Sequence, residues 1–181
     1  MDSLELKDIA GYFPYGLHVF YRRELYKCVA LNSSADIKLK RTVNGDPVTN
    51  TCSVDEVSPV LYPLDDIYRT VIHNGEEIIP IVECAKIAMP RYDCVPYINE
   101  DGVTAGAKIS QTSFTGRVNE GVLSFVWSSF YLCLQGWPNP GLVPNQYQLF
   151  DYLHELKIDF RGLIEADLAV NAHCVRVNPY Q

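Results

Sequence analysis

The residues of this 181-residue chain with the most obvious chemical potential are two adjacent aspartates, Asp65 and Asp66. Two carboxylates that converge on one substrate can share general acid and general base work. These two follow Pro63 on a predicted helix, where adjacent side chains point about 100° apart. They also lie near the positive end of the helix dipole, which stabilises negative charge. The spacing therefore favours a structural role over catalysis.

Six cysteines are scattered along the chain, namely Cys28, Cys52, Cys84, Cys94, Cys133 and Cys174. No CxxC pair occurs, and His173 directly precedes Cys174. These spacings do not build the clustered ligands of a zinc site. A Cys–His nucleophile whose partners meet only in space stays open, although Asp93 favours the neutral thiol of Cys94. We predict no metal, no cofactor and no catalytic residue, and we lean against an enzyme.

Recognised nucleotide and hydrolase motifs are absent from the sequence, which contains no GxxxxGK[ST], GxGxxG, GxSxG or HExxH. Two histidines receive structural interpretations. His154, three residues after Asp151, is expected to make a surface hydrogen bond or ion pair. His18, on a predicted strand, is expected to be a packed side chain.

A candidate binding surface centres on Trp137, which stands in a proline-rich loop. Arg91, Tyr92 and Arg117 could line the same surface. Aromatic side chains and arginines are the usual anchors of protein interfaces. The alternative, that Trp137 only packs its loop onto the core, stays open.

The net charge and hydropathy of the chain restrict the classes of partner that it can bind. The chain has 15 Lys and Arg against 22 Asp and Glu, a net charge of −7. Nucleic acids and anionic membranes require a basic face, so we predict neither as a partner. The first five residues do not resemble a signal peptide, and no apolar run approaches 18 residues. We therefore expect a cytoplasmic location.

The stretch from Pro144 to Val170 has the densest helical pattern in the chain. Asn145 is the predicted N-cap, with Gln148 reaching back to it as in a capping box. The first helix should bury an apolar stripe, namely Leu149, Phe150, Leu153 and Leu156. A second helix should begin near Asp159 and bury Phe160, Leu163, Ile164 and Leu168.

The predicted fold class is α+β, with antiparallel β-hairpins packed against several short helices and the C-terminal helix pair in the core. Residues 1–181 are predicted to form a single domain, with a mobile excursion over 90–117. The apolar segment from Val122 to Leu134 reads as a helix or as a hairpin. Its aromatic and β-branched content favours the hairpin.

Several segments resemble uncharacterised proteins of Bacteroides-type phages and prophages. The resemblance covers about half of the chain and rests on Leu6–Leu17, Pro59–Asp66, Asn74–Glu76, Leu149–His154, Gly162–Glu165 and Leu168–Val170. Asp167 departs from the glycine that this family tends to have before Leu-Ala. The family has no assigned activity or site residues, so the resemblance implies a mobile-element origin and a host cytoplasm.

Together these observations predict a phage-encoded accessory protein that is not an enzyme and that binds a host or phage protein. A homo-oligomer is a further option. One alternative is a counter-defence protein that binds or cleaves a nucleotide signal, with a pocket joining the Arg91–Arg117 region to the Trp137 loop. Another is a minor virion component.

Overall fold

A computed structural model of the chain describes residues 3–32, 36–112, 118–126, 131–136, 141–143 and 145–180. The protein is a mixed α and β structure with three sheets and few helices. It divides into two compact units, of which the first contains residues 1–64 and 154–181 and the second contains 65–153. The prediction of one domain with an excursion over 90–117 stays a prediction.

The helices are α1 (Leu6–Ile9), α2 (Pro80–Ala88) and α3 (Gln146–Glu155). The strands are β1 (His18–Tyr21), β2 (Glu24–Leu31), β3 (Asp36–Val43), β4 (Asp46–Ser53), β5 (Ser58–Pro63), β6 (Val71–His73), β7 (Glu76–Ile78), β8 (Asp93–Ile98), β9 (Thr104–Thr112), β10 (Val118–Val126), β11 (Tyr131–Gln135), β12 (Gly141–Leu142), β13 (Ile158–Asp159) and β14 (Val170–Asn171). No helix in these ranges is long and apolar enough to cross a membrane.

The first unit contains the largest sheet, with the order β13-β5-β1-β2-β3-β4 and with β14 also paired to β5. Strands β1 to β4 form successive antiparallel hairpins, whereas β13 and β14 run parallel to β5. Asn44 and Gly45 both have positive φ at the β3–β4 turn, as a two-residue hairpin requires. Ile37 and Leu39 on β3 are fully buried, so one face of the sheet carries the core of this unit.

The second unit contains a five-stranded antiparallel sheet with the order β12-β11-β10-β9-β8. Helix α2 packs against β8 and β9. The sheet contributes a set of fully buried side chains, namely Ala107, Ile109, Leu123 and Leu132. The antiparallel pairing of β10 with β11 confirms the hairpin interpretation of the Val122–Leu134 segment. Its predicted turn residues, Ser128 and Ser129, lie outside the described residues.

Gly106 on β9 allows close packing inside this sheet. A Cβ at this position would lie 2.7 Å from the Leu123 carbonyl oxygen and 2.7 Å from Val122 Cγ1. Because the first contact is with backbone, a larger residue forces a strand to shift. We expect Gly106→Ala to lower the free energy of unfolding by about 1–3 kcal/mol. Urea denaturation checks this. Gly102→Ala is the control for backbone strain alone, because Gly102 has a positive φ but no atom within 4 Å of an added Cβ. A neutral Gly106→Ala would contradict this close packing.

The predicted C-terminal helix pair is not confirmed, because α3 forms but the second helix does not. Residues 160–169 are turns and bends. Gly162 and Asp167 have φ values of 75° and 57°, which interrupt a right-handed helix at both ends of the segment. The Asp159 carboxylate instead accepts hydrogen bonds from the amides of Arg161 and Ile164. These bonds stabilise a turn at the point where the sequence predicts a helix start.

Helix α3 agrees with the predicted apolar stripe at two positions. Leu149 and Leu153 are fully buried, Leu156 is buried just beyond the helix end, and Phe150 is half-buried.

The hydrogen bonds at the start of α3 differ from the predicted N-cap. The Asn145 side-chain amide donates to the Ile87 carbonyl and to Gln148 Oε1, so Gln148 does contact Asn145, but the Asn145 side chain does not accept from the first turn of the helix. The Oδ1 atom of Asn145 is buried and makes no hydrogen bond to any described residue.

Candidate functional site

The two aspartates with catalytic potential do not converge. Both belong to a 3-10 helix, Leu64–Tyr68, where Asp65 is exposed and Asp66 is almost fully buried. The Asp66 carboxylate lies 3.6 Å from the guanidinium of Arg69. The pair therefore cannot divide acid and base work on one substrate, as the helical spacing predicts.

Three of the six cysteines, namely Cys28, Cys84 and Cys94, are poor nucleophiles. Burial raises the pKa of the Cys28 thiol to about 12 and raises the pKa of Cys84 still further. Burial also raises the pKa of Cys94, with the nearby Lys86 opposing the rise and Asp93 adding to it. A thiol whose pKa lies above its usual range is present as the unreactive neutral form. No reactive thiolate is found at these three positions.

His154 is half-buried and packs against aromatic rings, while the predicted surface hydrogen bond or ion pair stays a prediction. Its ring lies edge-on to Tyr12, with centroids 4.6 Å apart, and to Phe160, with centroids 4.9 Å apart. A Cβ on Gly11 would overlap the same ring. The Tyr12 hydroxyl donates to the Ile158 carbonyl at 2.9 Å. These contacts place the histidine ring against two buried aromatic side chains of the first unit.

The structure describes two of the four residues of the predicted binding surface. Arg91 is exposed and Tyr92 is half-buried, in the turn that leads from α2 to β8. Arg117 and Trp137 lie outside the described residues. The surface formed by all four stays a prediction. Within the described ranges, no three His, Cys, Asp or Glu side chains are placed to hold a metal ion.

The strongest surface feature of the second unit is an apolar strip on the edge strand β8. Its members are all large apolar side chains that are 40–59% exposed, namely Val95, Tyr97, Ile98 and Val103. The first three belong to β8, and Val103 lies in the turn between β8 and β9. Isolated exposed apolar residues are ordinary, whereas a contiguous group of them marks an interaction surface.

The orientation of β8 explains why the strip is open to solvent. Cys94 is half-buried and close enough to Glu83 and Lys86 of α2 for both to affect its pKa. Alternate residues of a strand point to opposite faces. Val95 and Tyr97 therefore point to the face away from α2. A register shift between Tyr97 and Ile98 then interrupts the regular pairing with β9, which continues at Ile98 and Thr104.

Sequence reasoning missed this strip because it assigned residues 90–117 to a mobile excursion and predicted no strand there. The signal was present in the run Val95-Pro96-Tyr97-Ile98, which is apolar and β-prone apart from its proline. Proline within a strand indicates an edge position. With that rule, the run predicts an exposed edge strand in place of a loop.

Comparisons with known proteins return no relative of this chain. No family model, no curated protein and no solved structure matches it.

Proposed function

We propose that the chain is a phage-encoded accessory protein without enzymatic activity, which binds a host or phage protein in the host cytoplasm through the apolar strip on β8. The observation that carries the proposal is the exposure of four large apolar side chains on and beside one edge strand, namely Val95, Tyr97, Ile98 and Val103. The resemblance of the sequence to phage proteins supports the origin and the location. The elevated thiol pKa values and the separated aspartates support the absence of catalysis.

The chemistry around the strip suggests the kind of partner. Asp93, Glu100 and Asp101 are exposed on β8 and on the turn that follows it. The second unit has twice as many acidic as basic residues. An apolar centre with an acidic border fits a partner that offers an apolar patch bordered by Lys or Arg. Charge complementarity of this kind accelerates association and excludes wrong partners.

The strip favours side-chain packing over the addition of a partner strand. Pro96 in the middle of β8 has no amide hydrogen to donate. A proline on an edge strand also hinders pairing with a foreign strand. The partner is therefore expected to pack on Val95 and Tyr97, and the contact is expected to bury aromatic and aliphatic surface at its centre.

The test is quantitative affinity purification of the tagged protein from infected host cells. We expect the wild type to return a stoichiometric partner. The double variant Val95→Asp with Tyr97→Asp should reduce its recovery by at least about tenfold, since hot-spot changes cost 2 kcal/mol or more. Both positions are exposed, so folding should be retained.

The matched control is Ile72→Asp, an exposed apolar residue of the same unit on the separate β6–β7 hairpin. This control should recover the partner at the wild-type level. The proposal fails if no stoichiometric partner is recovered, or if the double variant and the control recover it equally. Recovery of only the chain itself would replace the proposed partner by a homo-oligomer, and presence in purified particles would favour a minor virion component.

A further inference from the structure

The first unit contains an open groove that the protein-binding proposal does not use. It lies between the 3-10 turn Phe13–Gly16 and residues Lys27–Val29 of β2, and its volume is about 530 Å³. Phe13, Pro14 and Tyr15 give it an apolar and largely aromatic wall. Lys27 adds a cation to the opposite wall. Small-molecule sites often combine an apolar lining with a few polar groups.

Lys27 lines this groove, and a second ammonium group lies near one of its aromatic lining residues. A Cβ on Gly16 would lie 3.5 Å from Lys27 Nζ, so the lysine head rests on the glycine. The second ammonium belongs to Lys157, whose Nζ lies 5.7 Å from the ring centroid of Tyr15 and 5.4 Å from that of Tyr180. Tyr15 also lines the groove. The two lysines are close enough for Lys27 to lower the pKa of Lys157.

Lys157 violates several structural preferences at once. It is 6% exposed, although lysines are almost never fully buried unless they are paired. Its φ of 61° at the end of α3 is a conformation that favours glycine or asparagine. Its ammonium donates to the Glu155 carbonyl, and no carboxylate among the described residues forms a salt bridge with it. Such unfavourable choices concentrate at functional positions.

Further polar groups lie beside Lys27. His18 is directly opposite Lys27 in the β1–β2 ladder, and its ring makes a hydrogen bond with the backbone of Gly16, a residue of the groove. On the other side of Lys27, the opposite residue in the β2–β3 ladder is Lys40. Like charges directly opposite each other in a sheet are destabilising. A bound anion would relieve this repulsion.

We propose that this groove binds a small organic phosphate with a flat apolar body, such as a nucleoside monophosphate. The phosphate contacts Lys27 and is held by the positive potential of Lys157, and the flat body packs on Phe13, Pro14 and Tyr15. A phosphate monoester carries a charge of roughly −1.5 to −2 near neutral pH, which matches two ammonium groups. Aromatic side chains provide favourable surfaces for the stacking of a base. This site is independent of the strip on β8.

The experiment is isothermal titration calorimetry of the full chain with adenosine monophosphate, adenosine and inorganic phosphate, at low and moderate salt. We expect adenosine monophosphate to bind with a dissociation constant on the order of 0.1 mM, and both fragments to bind at least about tenfold more weakly. Affinity should fall with salt, because the lysines are screened. Phenyl phosphate and benzoate then separate phosphate from carboxylate recognition, and phenyl phosphate should bind more tightly.

Two lysine variants and one matched control complete the test. Lys27→Ala and Lys157→Met should each weaken binding of adenosine monophosphate by at least about tenfold. Lys38→Ala, an exposed lysine on β3 that does not line the groove, should leave it unchanged. Absence of binding for every phosphate probe overturns the site, as does binding that Lys27→Ala leaves intact. The assignment to a phosphate is overturned if adenosine binds as tightly as adenosine monophosphate, or if benzoate binds as tightly as phenyl phosphate. Inorganic phosphate binding as tightly as adenosine monophosphate overturns the role of the aromatic wall.

Discussion

Replacing Leu153 by alanine is expected to lower the free energy of unfolding by about 3–5 kcal/mol. Leu153 is fully buried on α3, together with Leu149. The substitution removes apolar contact area and leaves a cavity that the surrounding side chains fill only in part. A loss of this size is a large share of the stability of an average domain.

Urea denaturation followed by circular dichroism measures this loss. Tyr147→Ala is the matched control, because Tyr147 is on the same helix and is 81% exposed. The control should change stability by no more than about 0.5 kcal/mol. If Leu153→Ala costs less than about 1 kcal/mol, then α3 is not the core element that its burial indicates.

Replacing Lys157 by methionine is expected to raise the free energy of unfolding by about 1–3 kcal/mol at pH 7. Burial is the main cause that lowers the pKa of Lys157 to about 8, with Lys27 adding to the fall and Glu155 opposing it. A lowered pKa means that the fold disfavours the ammonium more than water does. Methionine keeps the unbranched chain and removes the buried charge.

The gain should depend on pH. Below pH 8 the lysine is protonated in both states, so the folded wild type bears the full cost of the buried charge. Between pH 8 and about 10.5, the unfolded chain keeps a proton that the folded protein releases, so wild-type stability rises with pH. The advantage of Lys157→Met should therefore be largest at pH 7 and smaller at pH 9.5.

Urea titrations at both pH values measure this difference, with Lys38→Met as the exposed control that changes little at either pH. An equal advantage at pH 7 and pH 9.5, or a less stable variant at pH 7, would contradict the buried charge. A variant that gains stability while losing phosphate affinity would show that Lys157 is retained for binding, since functional residues often lower stability.

Local pattern was sufficient to predict the β3–β4 hairpin. The alternation of Ile37 and Leu39 with lysines predicts a half-buried strand, and Asn44-Gly45 predicts its turn. Local pattern failed for the second C-terminal helix. The apolar spacing from Phe160 to Leu168 is helical, but the positive φ at Asp167 and the hydrogen bonds of Asp159 are set by tertiary context.

The candidate sites were harder to predict, for two physical reasons. The strip on β8 depends on which strand lies at the edge of its sheet, and strand order is not encoded in the pattern of one strand. The groove brings Lys27 and Lys157 together from positions 130 residues apart, which no local spacing shows. An unusual residue such as Lys157 becomes informative only when its burial and φ are known.

Site-specific photo-crosslinking in infected host cells shows whether β8 contacts the partner, because it reports which residue touches the bound protein. A photoreactive amino acid is placed at Tyr97 on β8 and, as the control, at Tyr147 on α3, which is also exposed. We expect one dominant crosslinked host or phage protein at position 97 and a much weaker product at position 147. No crosslinked protein at position 97, or equal products at both positions, would contradict it.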